Sequence, residues 1–392
     1  MGASVASGSS GERAAEIKRD RKLVRALAAW FDAARRELPW RGAPGAARDP
    51  YLVLVSEVML QQTQVSRVVV KFPEFVRAFP SVGALAAARE DDVLARWSGL
   101  GYYRRARMLH AAAKMVVEKF AGVVPREVGL LMELPGVGRY TAGAVASLAF
   151  GEAAPIVDGN VGRVLIRLEG QDLSSGADGL AWAWPRAEML VAACERAGVA
   201  AGVLNEALME LGATVCTPSG PRCVACPVRD ACGAHVLGMQ DSLPRPKVRA
   251  ERRSVRLDAL VVVDGEGRVL MQKQEEGALW SGLWQPPTAA GGARGLAAEL
   301  RAMLAAVGGG RAKRVGVVER TLTHRDVEFV VWVVEGKEEK EERDRRAGRK
   351  RPPTLARGAL WIHPSEFGGI GISSACLAVL GVAGVSGMEP VR

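Results

Sequence analysis

Residues 134–143 read Leu134-Pro135-Gly136-Val137-Gly138-Arg139-Tyr140-Thr141-Ala142-Gly143. Flanking segments 128–134 and 140–150 have the apolar pattern of helices. The run between them therefore reads as a turn joining two helices. Its glycines permit a tight reversal and close approach of backbone N–H groups. The helix that follows offers its first-turn donors to an anion such as a phosphate. Gly136, Val137 and Gly138 are the candidate backbone-binding residues.

Outward from this turn the pattern stays helical. Segments 21–36, 51–70, 93–97, 104–120, 161–168, 181–197 and 201–212 are expected helices, and no strand is expected before residue 240. The first domain should be all-α. About 80 residues beyond the turn come Cys216, Cys223, Cys226 and Cys232, spaced C-x6-C-x2-C-x5-C. Zinc sites usually pair their ligands as two C-x2-C hooks across a longer loop. Four thiolates in one short loop suit a [4Fe–4S] cluster, with zinc as the alternative. Cys194 and Cys376 stand alone in apolar sequence and read as buried thiols.

The chain has 392 residues, enough for two domains, and 48% of them are hydrophobic. The formal charge of +10 fits a polyanionic partner. No apolar run is long enough for a membrane span, and the start lacks a secretory leader. The expected division is a disordered tail over 1–20, a helical domain over 21–240, a linker over 241–254, a mixed α+β domain over 255–368 and a tail over 369–392. In the second domain, strands are expected at 255–263, 268–272, 315–322, 328–334 and 359–362, with a helix at 295–306. Asp264-Gly265-Glu266-Gly267 is a hairpin signal between the first two. The charge run at 337–351 reads as a solvated loop.

Six runs then carry a resemblance. They are LPWR (38–41), SEVMLQQT (56–63), GLGYY (99–103), LPGVGRYTAG (134–143), VDGNV (157–161) and NEALMELG (205–212). With the cysteine loop, their order resembles the helix–hairpin–helix endonuclease III superfamily of DNA glycosylases. Within it they resemble the MutY branch, the adenine DNA glycosylases. The resemblance covers 38–232 closely and 255–364 more loosely. Relatives that also cut the backbone carry a lysine after LPGVGR, whose amine forms a Schiff base with the sugar. Here that position is Tyr140, and the aspartate motif reads VDGN instead of VDTH. The resemblance thus implies a monofunctional enzyme acting on adenine opposite 8-oxoguanine or guanine in double-stranded DNA.

Cleaving a base from its sugar passes through an oxocarbenium-like state. It calls for one carboxylic acid and one ionised carboxylate. Glu57 sits inside an apolar helical stretch, where burial would raise its pKa and suit it as the acid. Asp158 follows Ile156-Val157 and precedes a helix, so it can be an N-cap and, by the resemblance, the stabiliser of the cation. Asn160 and Tyr140 are expected to position these two groups. The target adenine must leave the stack. The resemblance puts Arg41 and Glu206 in its pocket, and Gln62 and Tyr102 at the duplex as filling or wedging residues.

Segment 255–364 resembles the nudix-like domain of the same branch, with Trp280-Ser281-Gly282-Leu283-Trp284 as its characteristic turn. Segment 295–307 holds one acid, Glu299, where a nudix hydrolase needs a glutamate-rich metal helix. No pyrophosphatase activity is expected. Thr323 and His324 align with residues that contact 8-oxoguanine in the family, although Leu322 replaces an aromatic there. The competing readings are a glycosylase–lyase on oxidised pyrimidines and a non-catalytic lesion-binding protein. A cytoplasmic, nucleoid-associated monomer without a membrane partner is expected.

Overall fold

A computed structural model describes residues 10–42, 47–247, 252–291, 295–322, 324–335 and 358–385. The helices in chain order are α1 (Ser10–Ala34), α2 (Pro50–Leu60), α3 (Val65–Ala78), α4 (Val82–Ala87), α5 (Glu90–Arg96), α6 (Arg104–Lys119) and α7 (Val128–Met132). They continue with α8 (Arg139–Phe150), α9 (Gly159–Leu168), α10 (Ala177–Ala197), α11 (Ala201–Thr214) and α12 (Gly233–Val236). Contacts divide the chain into one unit of residues 1–86 and 111–248, and a second of residues 87–110 and 249–392. Segment 87–110, expected in the first domain, thus groups with the C-terminal residues.

In the first unit, Leu23, Val24, Leu27 and Phe31 of α1 recur at helical spacing and are buried. They pack with Ile156 and residues of α9, α10 and α11 into one core. The expected tail over 1–20 is corrected here. The helix starts at Ser10, and Asp20 is buried. Asp20 receives Arg186 at 2.6 and 2.5 Å, and Glu169 receives Arg186 and Arg19, each at 2.8 Å. Residues 1–9 lie outside the described set.

The single helix expected over 51–70 is two. Asp49 caps α2 by accepting the Tyr51 N–H at 2.8 Å, with Pro50 at the first position. The chain then breaks at Gln62, whose φ is 53°, before α3 resumes. The expected linker is also partly docked. Leu243 is buried with Ile166 and Ala234, and the Arg245 N–H donates to the Leu173 carbonyl at 2.8 Å.

The second unit holds a four-stranded and a three-stranded sheet. The strands are β1 (Arg253–Val261), β2 (Val269–Lys273), β3 (Trp284–Gln285), β4 (Thr288–Ala290), β5 (Arg311–Thr321), β6 (Arg325–Glu335) and β7 (Ala359–Ile362). The sheet orders are β4-β1-β6-β5 and β3-β2-β7, with β1 and β6 parallel. The Asp264–Gly267 turn therefore does not close a simple hairpin. After one bridge, Val263 to Val269, the two arms enter different sheets. Alternation along β1 sends Leu260 towards α13 (Ala298–Ala306), while Ala259 and Val261 face a core containing Cys376, Val379 and Leu380. Those last residues belong to α14 (Ser374–Val382), so the stretch expected as a C-terminal tail is a core helix. Its sequence, SACLAVLGV, is apolar nearly all round, as a buried helix requires. Short strands β3 and β4 escaped sequence reading, and the charge run at 337–351 lies outside the described residues. Among the described residues, no helix is long and apolar enough to cross a membrane.

The Asp20–Arg186 pair tests the corrected N-terminus. Replacing Asp20 with Ala leaves a buried guanidinium short of its partner and should lower unfolding free energy by about 3 kcal/mol. Urea denaturation measures this. A true tail residue would move it by less than about 0.5 kcal/mol.

Candidate active site and cysteine loop

Glu57 lies in α2, whose residues from Val53 to Met59 are all buried, and is itself 5% exposed. Its Oε2 is buried with no hydrogen-bond partner. A carboxylate left so would be costly, so the proton stays on. Burial, with the nearby Glu206 and Asp158 charges adding to it, pushes the Glu57 carboxyl from 4.5 up to about 7. A hydrogen bond from Tyr140 and the charge of Arg48 oppose that rise.

Tyr140 sits in the first turn of α8. Burial beside the two carboxyl groups keeps its phenol protonated, well above its ordinary value. Its hydroxyl lies 3.0 Å from Met209 Sδ and within hydrogen-bonding reach of Glu57. With one proton to give, it donates to Glu57 whenever that carboxyl is ionised.

Asp158 caps α9, as its sequence context suggested. Oδ1 accepts the Asn160 and Val161 N–H groups at 2.9 and 2.7 Å. Asn160 also gives a side-chain N–H to Oδ2 at 3.3 Å. Behind Asn160 stands Arg163, which sequence reading missed. Arg163 donates to Asn160 Oδ1, to the Gly212 carbonyl and to the Cys216 carbonyl, each at 2.9 Å. A fixed chain thus runs from the first cysteine to the Asp158 carboxylate. Its sequence signal is an arginine inside the apolar helix VGRVLIRL, where a charge must find partners.

Glu206, on α11, accepts Arg41 Nε at 3.1 Å and Arg48 Nη2 at 2.6 Å. Arg41 spends its other donors on Glu210 at 2.8 Å and the Arg36 carbonyl at 3.0 Å. Arg41 was expected as a pocket residue. The geometry makes it the group that fixes Glu206. Arg48, Arg36 and Glu210 of this network were missed.

In the hairpin, Gly136 has φ 78°, a conformation open to glycine, and Val137 is buried beneath the turn. Gly138 is exposed and starts α8 without a side-chain cap. No cap side chain is therefore spent on the first-turn amides of α8. Gln62 is exposed with left-handed backbone, and so is Tyr102, φ 47°, in the second unit. His324 is exposed just before β6, and its carbonyl accepts the Arg253 N–H at 3.2 Å. Thr323 lies outside the described residues.

The four loop cysteines follow α11 and line one recess together with Arg167, Arg229 and His235. None of them, nor the buried Cys194 and Cys376, is in a disulfide. Arg167 donates to Cys216 Sγ at 3.4 Å and locks the loop through the Thr217 and Pro218 carbonyls at 2.7 and 3.1 Å. Among the described residues, no three His, Cys, Asp or Glu side chains stand close enough for one metal ion. Arg222 donates to the Thr214 carbonyl and Arg229 to Asp230.

Residues 55–178, spanning Glu57, the hairpin and Asp158, match the family described as HhH-GPD superfamily base excision DNA repair protein. Residues 258–381 match the family described as NUDIX domain. The fold and site thus define a helix–hairpin–helix base-excision protein with a nudix-like domain appended. The chain is 45% identical over 224 residues to the adenine DNA glycosylase of Homo sapiens, covering 55% of this chain and 40% of that one. It is 42% identical over 221 residues to that of Mycobacterium tuberculosis (strain ATCC 25618 / H37Rv), covering 56% of this chain and 70% of that one. Among solved structures, a thermostable thymine-DNA glycosylase is 28% identical with a TM-score of 0.48, covering 56% of this chain and 98% of that one. The chain belongs to the adenine DNA glycosylase family. It spans 40% of the length of the human relative and 41% of that of Rattus norvegicus.

Glu57 has a stability cost that can be read directly. Unfolded, it ionises near 4.5; folded, it keeps its proton to about 7. Its contribution therefore declines as pH rises between those values, and the full penalty stands above them. Glu57→Gln should stabilise the fold by about 2 kcal/mol at about pH 8, a gain that vanishes towards about pH 4.5. Chemical denaturation across this range checks it.

Proposed function

We propose that the protein is a monofunctional DNA glycosylase that removes adenine mispaired with 8-oxoguanine or guanine in double-stranded DNA. The observation that carries this reading is the buried, partnerless Glu57 Oε2 beside the anchored Asp158. The net charge of +10 and the open first turn of α8 support a DNA backbone as partner.

The chemistry follows from these groups. The adenine is extruded from the stack and enters beside Glu206, whose carboxylate is held by Arg41 and Arg48. Glu57 gives its proton to the adenine ring, and the C1′–N9 bond breaks with its electron pair leaving on the base. Positive charge develops at C1′. Asp158, fixed by helix amides and the Asn160–Arg163 chain, stabilises it by charge or by a transient ester bond. Glu57 is now a carboxylate, and the Tyr140 hydroxyl donates to it. Water then adds to C1′ and returns its proton to Glu57, leaving an abasic sugar. A tyrosine at position 140 supplies no amine for a Schiff base, so strand scission is not expected.

The four loop cysteines would hold the [4Fe–4S] cluster, which supplies a rigid cross-link for the loop rather than a reacting group. The C-terminal unit serves recognition. Its helix α13 carries one acid, Glu299, too few to bind the metals of a nucleotide hydrolase. His324, with Thr323 beside it, reads the lesion opposite the adenine. Exposed Arg253 and Arg325 adjoin His324 and suit a phosphate backbone. We place the protein in the cytoplasm on nucleoid DNA, acting as a monomer.

The test is single-turnover incubation with an 8-oxoguanine:adenine duplex. Wild type should release free adenine and leave a strand that breaks only after alkali. Glu57→Gln and Asp158→Asn should each lose at least about 100-fold in rate while still binding the duplex. Breakage without alkali, or a borohydride-trapped adduct, contradicts the proposal and favours the lyase reading. Binding without any release favours the lesion-binding reading.

A further inference from the structure

Tyr103 lies beside the exposed Tyr102 in the GLGYY run. Its own ring is buried, 8% exposed, and its hydroxyl donates to the Ile372 carbonyl at 2.8 Å. Ser98 Oγ reaches the same carbonyl at 3.5 Å. The Ile372 segment is itself fixed. Trp284 donates its N–H to the Gly371 carbonyl at 2.9 Å, and Ile372 bridges Trp284. At Gly371 the fit is so close that a Cβ would stand 2.7 Å from Leu94 Cβ of α5.

A second point of attachment lies one helical turn further on. Arg107 donates to Ser281 Oγ at 3.0 Å, within the Trp280–Trp284 turn. A third joins Lys273 Nζ of β2 to Asp91 at 2.6 Å. These contacts explain why segment 87–110 groups with the C-terminal residues. Between the anchors, the turn before Tyr102 is braced from within. Trp97 Nε1 donates to the Gly101 carbonyl at 3.0 Å, and Arg105 donates to the Leu100 and Gly101 carbonyls at 3.2 and 3.1 Å. The Arg105 guanidinium lies 5.4 Å from the ring centres of both Trp97 and Tyr102. Tyr102 thus projects, 47% exposed and with left-handed backbone, from a turn held on both sides.

We propose that Tyr103 and the Arg107–Ser281 pair are positioning residues: the nudix-like sheet, through Ile372 and Ser281, sets the Tyr102 ring that opens the duplex. This rests on the glycosylase reading above. The C-terminal residues then act on base extrusion itself, besides contacting the opposite base. A left-handed tyrosine is not a conformation the local chain prefers, so it needs such outside support.

The test compares two duplexes in single-turnover adenine release by the full chain. One pairs the target adenine with 8-oxoguanine. The other sets it opposite an abasic spacer, where there is no pair to open. Tyr103→Phe removes only the hydroxyl, and Ser281→Ala removes only the Arg107 acceptor. Each should slow release from the 8-oxoguanine duplex by about 10-fold. Release from the spacer duplex should stay within about 2-fold, and the thermal midpoint within about 2 °C. Equal losses on both duplexes, or no loss on either, would overturn the proposal while leaving the glycosylase reading intact. Absence of release by wild type on both would overturn the two together.

Discussion

A buried carboxyl group with one oxygen left without a hydrogen-bond partner is the constraint on which this site depends. The proposed chemistry asks two acids, Glu57 and Asp158, to act on one bond in different roles. Nothing in their own chemistry separates them, since both are ordinary carboxyl groups. Their environments do so. Glu57 is enclosed by α2, where Val53, Leu54, Val55, Val58 and Met59 are all buried, and its Oε2 has no donor. Asp158 instead receives two helix amides and the Asn160 side chain. Desolvation favours the neutral acid at Glu57, whereas the hydrogen bonds at Asp158 hold its carboxyl in one place.

That contrast demands rigid surroundings, because a small opening would let water solvate Glu57. The rigidity is built from buried charges that satisfy each other. Arg41, Arg36 and Arg48 lock Glu206 and Glu210. Arg163 ties Asn160 to the cysteine loop, and Arg167 ties that loop to the Leu243 carbonyl. Arg186 ties α1 to α10 through Asp20. Each guanidinium bridges elements far apart in sequence, a task its planar set of five donors suits. Buried pairs of this kind contribute little net stability against apolar residues. What they provide here is fixed geometry around Glu57 and Asp158.

Much of this was legible in the sequence. Helical periodicity marked most of the first unit, and Pro50, Asp158 and the glycines of 134–138 marked helix ends by local chemistry. The burial of Glu57 was legible because apolar neighbours imply it, and the capping by Asp158 because a helix start follows it. What escaped was non-local. The break at Gln62 falls within Gln61-Gln62-Thr63, none a strong helix breaker. The polar start of α1 looked like a tail because Asp20 gains its partner, Arg186, 166 positions away. The turn after β1 looked like a hairpin because its residues specify the reversal, whereas sheet assignment depends on strands β6 and β7 much later. The grouping of 87–110 with the C-terminal residues rests on backbone carbonyls such as Ile372, which no side-chain pattern announces.

The most direct test of the central claim is the titration of Glu57 itself. Infrared difference spectra of wild type minus Glu57→Gln isolate the carboxyl stretch of this one residue as pH is varied. The account predicts a protonated carboxyl that titrates at about pH 7. Titration near the ordinary value of 4.5 would mean that the site is open to solvent and that the buried-acid account is wrong.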